Sequence, residues 1–154
     1  MEFCIMKKDD IVTSHIAKAF LDIKAAKIMH THGLYSHSIA CCYYAVFHAI
    51  KAVHEAHDIS AESHRQVLGQ FNKQFVHPGK IDSFVSDTAY NLFDRRNTTE
   101  YDPRELEGKE GAEHGIDIAK RAVSEIIDFF HAADISFEHQ GCSDSESGVT
   151  SERK

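Results

Sequence analysis

Nothing in this chain supplies a disulfide framework, a membrane-spanning run, a basic coat or a β-type alternation, and each absence removes a class of protein. The four cysteines, Cys4, Cys41, Cys42 and Cys142, show neither zinc-type nor disulfide-framework spacing. Cys41 and Cys42, as neighbours on one helix, are badly placed to bond to each other, and a reducing compartment follows. At the N-terminus, Met1 to Asp10, charge comes after a short apolar stretch, the reverse of a signal peptide, and no apolar run approaches the ~20 residues that span a bilayer. The expectation is a cytoplasmic protein with no membrane contact. A formal net charge of −7 argues against a protein that coats nucleic acid through a broad basic surface, because sequence-independent affinity for phosphates comes from clustered Lys and Arg. No internal repeat appears beyond the helix pattern.

What is present is one ordinary domain's worth of core: 154 residues, 42% hydrophobic and 27% charged. Helical periodicity dominates. A first helix is expected from Thr13 or Ser14 as cap to Gly33, with Ile16, Ala17, Phe20, Leu21, Ala25 and Ile28 on its apolar side. A second runs from about Ser36 to Ala56, with Ala40, Tyr43, Tyr44, Phe47, Ile50 and Lys51 on one stripe. After a connection over Asp58 to Ser63, a shorter third helix buries Leu68, Phe71 and Phe75, and Pro78-Gly79 punctuates it. Asp82 or Ser83 can cap a fourth helix, which Pro103 stops. The fifth begins in the acidic Arg104 to Glu113 region, where Gly108, Gly111 and Gly115 should leave it weak or bent, before a seam of Ala119, Ala122, Val123, Ile126, Ile127, Phe130 and Ala133. The expected architecture is an all-α, up-and-down antiparallel bundle of about five helices. It comprises an N-terminal extension (1–12), the bundle (13–137) and a disordered polar tail (138–154) too poor in apolar residues to offset the entropy of ordering.

The fourth helix carries a charge where its pattern calls for an apolar residue. Ile81, Phe84, Val85, Thr88, Ala89, Leu92 and Phe93 recur at three-then-four spacing, and the next members of that face are Arg96 and Glu100. A cation carried into a core seam needs a carboxylate, an anionic ligand or a partner surface, since burying it unpaired costs several kcal/mol. Two readings stay open for Arg96: a salt bridge to a carboxylate such as Glu100, one turn on, or a phosphate contact. Arg95, about 100° away among Thr88, Asn91 and Thr99, reads as a surface or C-terminal helix charge that can also steer an anion. Lys7-Lys8 and Lys24 with Lys27 read as solvated faces.

Histidine is plentiful, 12 residues. His30, His32 and His37 cluster at the first turn, and His37, Cys41, Tyr44 and His48 are spaced along the second helix, yet no second close donor pair faces them from another element. No metal site is therefore assigned. His64, at the head of the third helix, reads as a cap, a core residue or a functional imidazole.

Tyr43-Tyr44-Ala45-Val46-Phe47-His48-Ala49, preceded by Gly33-Leu34-Tyr35 and followed by His64, Phe71, Phe75, Gly79 and then Arg96-Asn97 with Tyr101, resembles the HEPN domain family of small prokaryotic proteins over about Ile16 to Phe130. The resemblance implies a helical bundle that forms homodimers, often as a toxin paired with a minimal nucleotidyltransferase antitoxin. It also implies a metal-independent endoribonuclease that needs no cofactor. The family motif is an arginine, a polar residue, three further residues and a histidine. Arg96 and Asn97 fill the first two places, and Tyr101 stands where the histidine would. Arg96, Asn97 and Tyr101 are thus the candidate catalytic residues, with Arg95 and Arg96 as phosphate contacts. A phenol titrating near ~10 is a poor base beside an imidazole near ~6.5, so the alternative is a non-catalytic module that binds a nucleotide or a partner in the same groove. In some family pairs the nucleotidyltransferase adenylylates a tyrosine two places beyond the histidine; that place is Pro103 here, and Tyr101 is the displaced candidate.

Overall fold

The computed structural model describes residues 7–104 and 106–138. Within them the helical periodicity becomes five α-helices and no strand: α1 (Lys8–Thr31), α2 (Tyr35–Ala56), α3 (His64–Phe71), α4 (Ser83–Tyr101) and α5 (Lys109–Ala132). α3 runs on into a π-helical turn, Asn72–Val76. The all-α bundle expected from the sequence is what the chain forms. No described helix is long and apolar enough to cross a membrane.

Local chemistry sets most boundaries where the sequence places them. Gly33 closes the α1–α2 turn at φ 74°, a left-handed conformation that glycine adopts without steric cost. Ser63 and Gln66 form a reciprocal capping box at the head of α3, so Ser63 is the cap and His64 is the first helical residue. The Asp82 carboxylate accepts from the Phe84 amide and starts α4. α1, however, begins at Lys8, ahead of the expected cap. Asp9 and Asp10 sit in its first turn, where carboxylates favour a helix N-terminus, and Val12 is already buried. Thr13 Oγ1 instead accepts from the Glu138 amide at 3.0 Å, bringing the C-terminal end of the described chain onto α1. Residues 1–6 of the expected extension and 139–154 of the expected tail lie outside the described residues.

α2 is the central helix and packs against α1, α3, α4 and α5. It is buried on most of its circumference through Ile39, Cys42, Tyr43, Ala45, Val46, Ala49, Ile50 and Val53, while Tyr44 and Phe47 of the expected stripe are half-buried, beside Arg96 of α4 and His64 of α3 respectively. The buried face of α1 is Val12, Ile16, Ala19, Ile23 and Ala26, and of the expected apolar side only Ile16 belongs to it. Leu21 and Ile28 are 60% and 48% exposed. Small Ala19 and Ala26 let α1 approach α2 closely enough for Ser38 Oγ to donate to the Ala26 carbonyl at 2.8 Å. On α5, Gly111 and Gly115 are not a weakness. The helix is continuous from Lys109, and a Cβ at Gly115 would collide with the buried Ile39 side chain of α2. Glycine there buys the close α2–α5 crossing.

Candidate functional site

The seam of α4 delivers Arg96 as its pattern requires. Val85, Ala89 and Leu92 are fully buried beneath it, and one turn further on the Arg96 side chain is 20% exposed. The carboxylate partner expected for such a cation is present, and two aromatic rings that the pattern did not reveal stand beside it. Arg96 Nη2 lies 3.2 Å from Glu100 Oε2, and the guanidinium carbon stands 5.1 Å from the ring centre of Tyr44 and 5.8 Å from that of Tyr43. A guanidinium near aromatic rings is stabilised by their quadrupoles and keeps its N–H edges free for anions. Glu100 itself is half exposed, so this is an exchangeable carboxylate rather than a sealed partner.

Arg96 opens onto a cavity of about 280 Å³ between α2 and α4, walled by Ser36, His37, Ala40 and Tyr44 on one side and by Arg96, Thr99 and Glu100 on the other. Asn97 is half-buried next to it and Tyr101 is 80% exposed at the helix end, and neither lines the cavity. The three residues aligned with the motif are thus near one another along α4 without sharing one pocket wall.

Arg95 points elsewhere. Its Nε and Nη2 donate to Glu107 Oε1 and Oε2 at 2.7 and 2.8 Å, and Nη2 also donates to the Gly111 carbonyl at 2.8 Å. With side-chain exposures of 21% and 14%, this bidentate pair ties α4 to the head of α5. The Glu107 amide in turn donates to Ser36 Oγ, on the cavity wall, at 3.2 Å. Instead of the surface charge expected from its polar neighbours, Arg95 is a half-buried tie that braces the groove from behind.

A further group emerges that the sequence left undecided. The hydroxyl of fully buried Tyr43 lies 2.6 Å from His64 Nδ1, and the His64 ring stacks on Phe47 at 4.3 Å with an interplanar angle of 14°. Burial, and then the Arg96 charge, lower the His64 pKa below its ordinary 6.5. Burial pushes the Tyr43 phenol well up, with Arg96 pulling the other way, so it stays protonated. Periodicity could not reveal this pairing, because His64 and Tyr43 are on different helices and meet only through the fold.

The histidines do not assemble a metal centre among the described residues. His15 and His48 pair across α1 and α2 with their Nδ1 atoms 3.1 Å apart, and burial, followed by His15 and then Lys18 and Lys51, lowers His48 to about 4. His54 is wholly buried. Cys41 and Cys42 are unbonded thiols, and burial raises Cys42 to about 12.

The HEPN domain model matches residues 12–139, most of the chain. The chain belongs to the HEPN family. Among similar proteins, one of Methanocaldococcus jannaschii named "Putative toxin MJ0605" is 31% identical over 112 residues, covering 69% of this chain and 84% of that one. A second from the same organism, "Putative toxin MJ0142", is 26% identical over 99 residues, covering 64% of this chain and 67% of its own. The family, the helical bundle and the likeness to proteins named as toxins therefore agree.

Proposed function

We propose that this HEPN protein is an RNA-acting toxin, a metal-independent endoribonuclease in which two copies bring their Arg96 grooves together over a phosphodiester. The observation that carries the reading is Arg96 itself. It is a mostly buried guanidinium, seated by two tyrosine rings and held by one exposed carboxylate, at the mouth of a cavity. A phosphate displaces Glu100 and takes its place against the same N–H edges. Attack of a ribose 2′-hydroxyl on the adjacent phosphorus builds negative charge that Arg96 neutralises; a 2′,3′-cyclic phosphate and a 5′-hydroxyl end result. Asn97 supplies an amide to a phosphate or sugar oxygen, and the exposed Tyr101 ring is suited to stack on a base. Arg95 serves through its tie to Glu107 rather than by direct contact. A minimal nucleotidyltransferase is the antitoxin class this reading anticipates, and it requires no cofactor.

A second reading is favoured by one specific feature, the phenol at Tyr101 where the family motif has an imidazole. In it the same groove holds a nucleotide or docks a partner enzyme without cleaving anything. Expression of wild type and of Arg96→Ala without any partner, followed by growth and RNA integrity, separates the two. Growth arrest with RNA cleavage that vanishes in the variant is the expected result. A harmless wild type that leaves RNA intact at high concentration defeats the ribonuclease reading, and Arg96-dependent heat on nucleotide titration then supports the binding module.

A further inference from the structure

The site as aligned to the motif holds a cation but no proton acceptor, and the fold places an imidazole beside that cation. Arg96 and His64 flank the same tyrosine pair. The Arg96 guanidinium carbon is 5.8 Å from the Tyr43 ring centre and 5.1 Å from that of Tyr44, and the His64 ring is 5.7 Å and 6.4 Å from the same two. His64 is also 6.4 Å from Phe93, one turn before Arg96 on α4. We propose that His64, oriented by the Tyr43 hydroxyl and the Phe47 ring, is the proton-accepting residue of the Arg96 site.

The geometry is that of an imidazole held for use. A general base needs one nitrogen fixed and the other free. Nδ1 is engaged at 2.6 Å by Tyr43, while Nε2 has no hydrogen-bond partner among the described residues. The ring is clamped by the stack on Phe47 yet only half-buried, so it keeps an exposed edge although it lies outside the walls of the Arg96 cavity. His37, the other imidazole near Arg96, is exposed on the cavity wall and has no such support. With the tautomer assigned so that Nδ1–H donates to Tyr43 Oη, the Nε2 lone pair takes the proton of the ribose 2′-hydroxyl. The 2′ oxygen bonds to phosphorus, the bond from phosphorus to the 5′ oxygen breaks, and that oxygen keeps the electron pair and is protonated by water. The imidazolium then returns its proton to solvent. Arg96 holds the phosphate charge throughout and, with burial, keeps His64 neutral near pH 7. The titratable and charged groups facing His64 are Arg96 from α4 and Tyr43, Tyr44 and His48 from α2.

This assignment rests on the ribonuclease reading, and its test separates the two. Full-length wild type, His64→Gln, His64→Ala and Arg96→Ala are assayed on an end-labelled oligoribonucleotide from pH 5 to 8, and binding is measured with the 2′-O-methyl oligonucleotide, which cannot react. The expected result is a fall in kcat of about 100-fold or more in His64→Gln, the low end to middle of what general-base catalysis contributes, with affinity changed less than about twofold. The acidic limb of the wild-type rate profile should vanish in the same variant. Imidazole added to the buffer should restore cleavage by His64→Ala, a recovery that a merely misfolded variant would not show. A His64→Gln protein with the wild-type rate and limb overturns the assignment and leaves the Arg96 reading standing, as does a loss in His64→Ala that imidazole fails to relieve. Wild type as silent on RNA as Arg96→Ala overturns both.

Discussion

Replacing His54 with leucine should stabilise the protein and flatten its response to acid. His54 is 0% exposed on α2, and neither ring nitrogen has a hydrogen-bond partner. Burial, with Lys51 and His57 adding to it, lowers its pKa from 6.5 to about 4. Between these values the unfolded chain binds a proton that the native state refuses, so stability falls as pH falls through the unfolded pKa, and the loss is complete below the folded one. Each unit of difference corresponds to about 1.4 kcal/mol, which gives a full penalty of about 3 kcal/mol and about 2 kcal/mol already at pH 5. At pH 7 the ring is neutral in both states, yet its two unsatisfied nitrogens still cost roughly 1–3 kcal/mol, which leucine of similar volume removes. The assay is urea unfolding followed by helical circular dichroism at pH 7.5, 6.0 and 5.0 and one protein concentration. Other histidines titrate too, His15, His48 and His64 among them, but they are common to both proteins and cancel in the difference. The gap in favour of His54→Leu should widen by about 2 kcal/mol from pH 7.5 to 5.0. A gap that stays constant across that range would show that His54 is not held neutral in the native state, and the reasoning fails.

Two further outcomes follow from the packing. Gly115→Ala should cost about 1–3 kcal/mol, because its Cβ meets the Ile39 side chain inside a packed core, and Gly115→Ala with Ile39→Val should recover part of that loss in thermal melts. Arg95→Gln should destabilise by about 2 kcal/mol, discounted for partial exposure, since it strands the Glu107 carboxylate and removes the side-chain bond to the Gly111 carbonyl; Arg96→Gln, whose partner Glu100 is half exposed, should lose about 1 kcal/mol or less. Equal melting-temperature shifts in the two variants would contradict that division of labour.

The elements whose pattern is local were legible in the sequence. α4 reads correctly from Asp82 to Arg96 because its apolar residues occupy one narrow stripe and its cap is adjacent. α1 differs from its sequence pattern in both start and face. It carries apolar residues on more than one side, and which side is buried depends on Ala19 and Ala26 admitting α2, a fact about the partner helix. Gly111 and Gly115 read as weak or bent points of α5 for the same reason, since their value lies in what approaches them, Arg95 with Glu107 and Ile39. At the candidate site, Arg96 and its Glu100 partner were visible at one-turn spacing. The Arg95 to Glu107 tie crosses the loop after α4, and the Tyr43 to His64 bond joins α2 to α3, and no periodicity encodes either.

Adjacent arginines that point to different partners also separate two kinds of evolutionary risk. A helix turns about 100° per residue, enough to give Arg95 to the fold and Arg96 to the groove. On the proposed function, substitutions at Arg96 silence or retune the groove while the Arg95–Glu107 tie keeps the α4–α5 junction locked, so loss of that function need not mean loss of shape. A chain changed only at Arg96 keeps the packed bundle on which a different ligand site can be built.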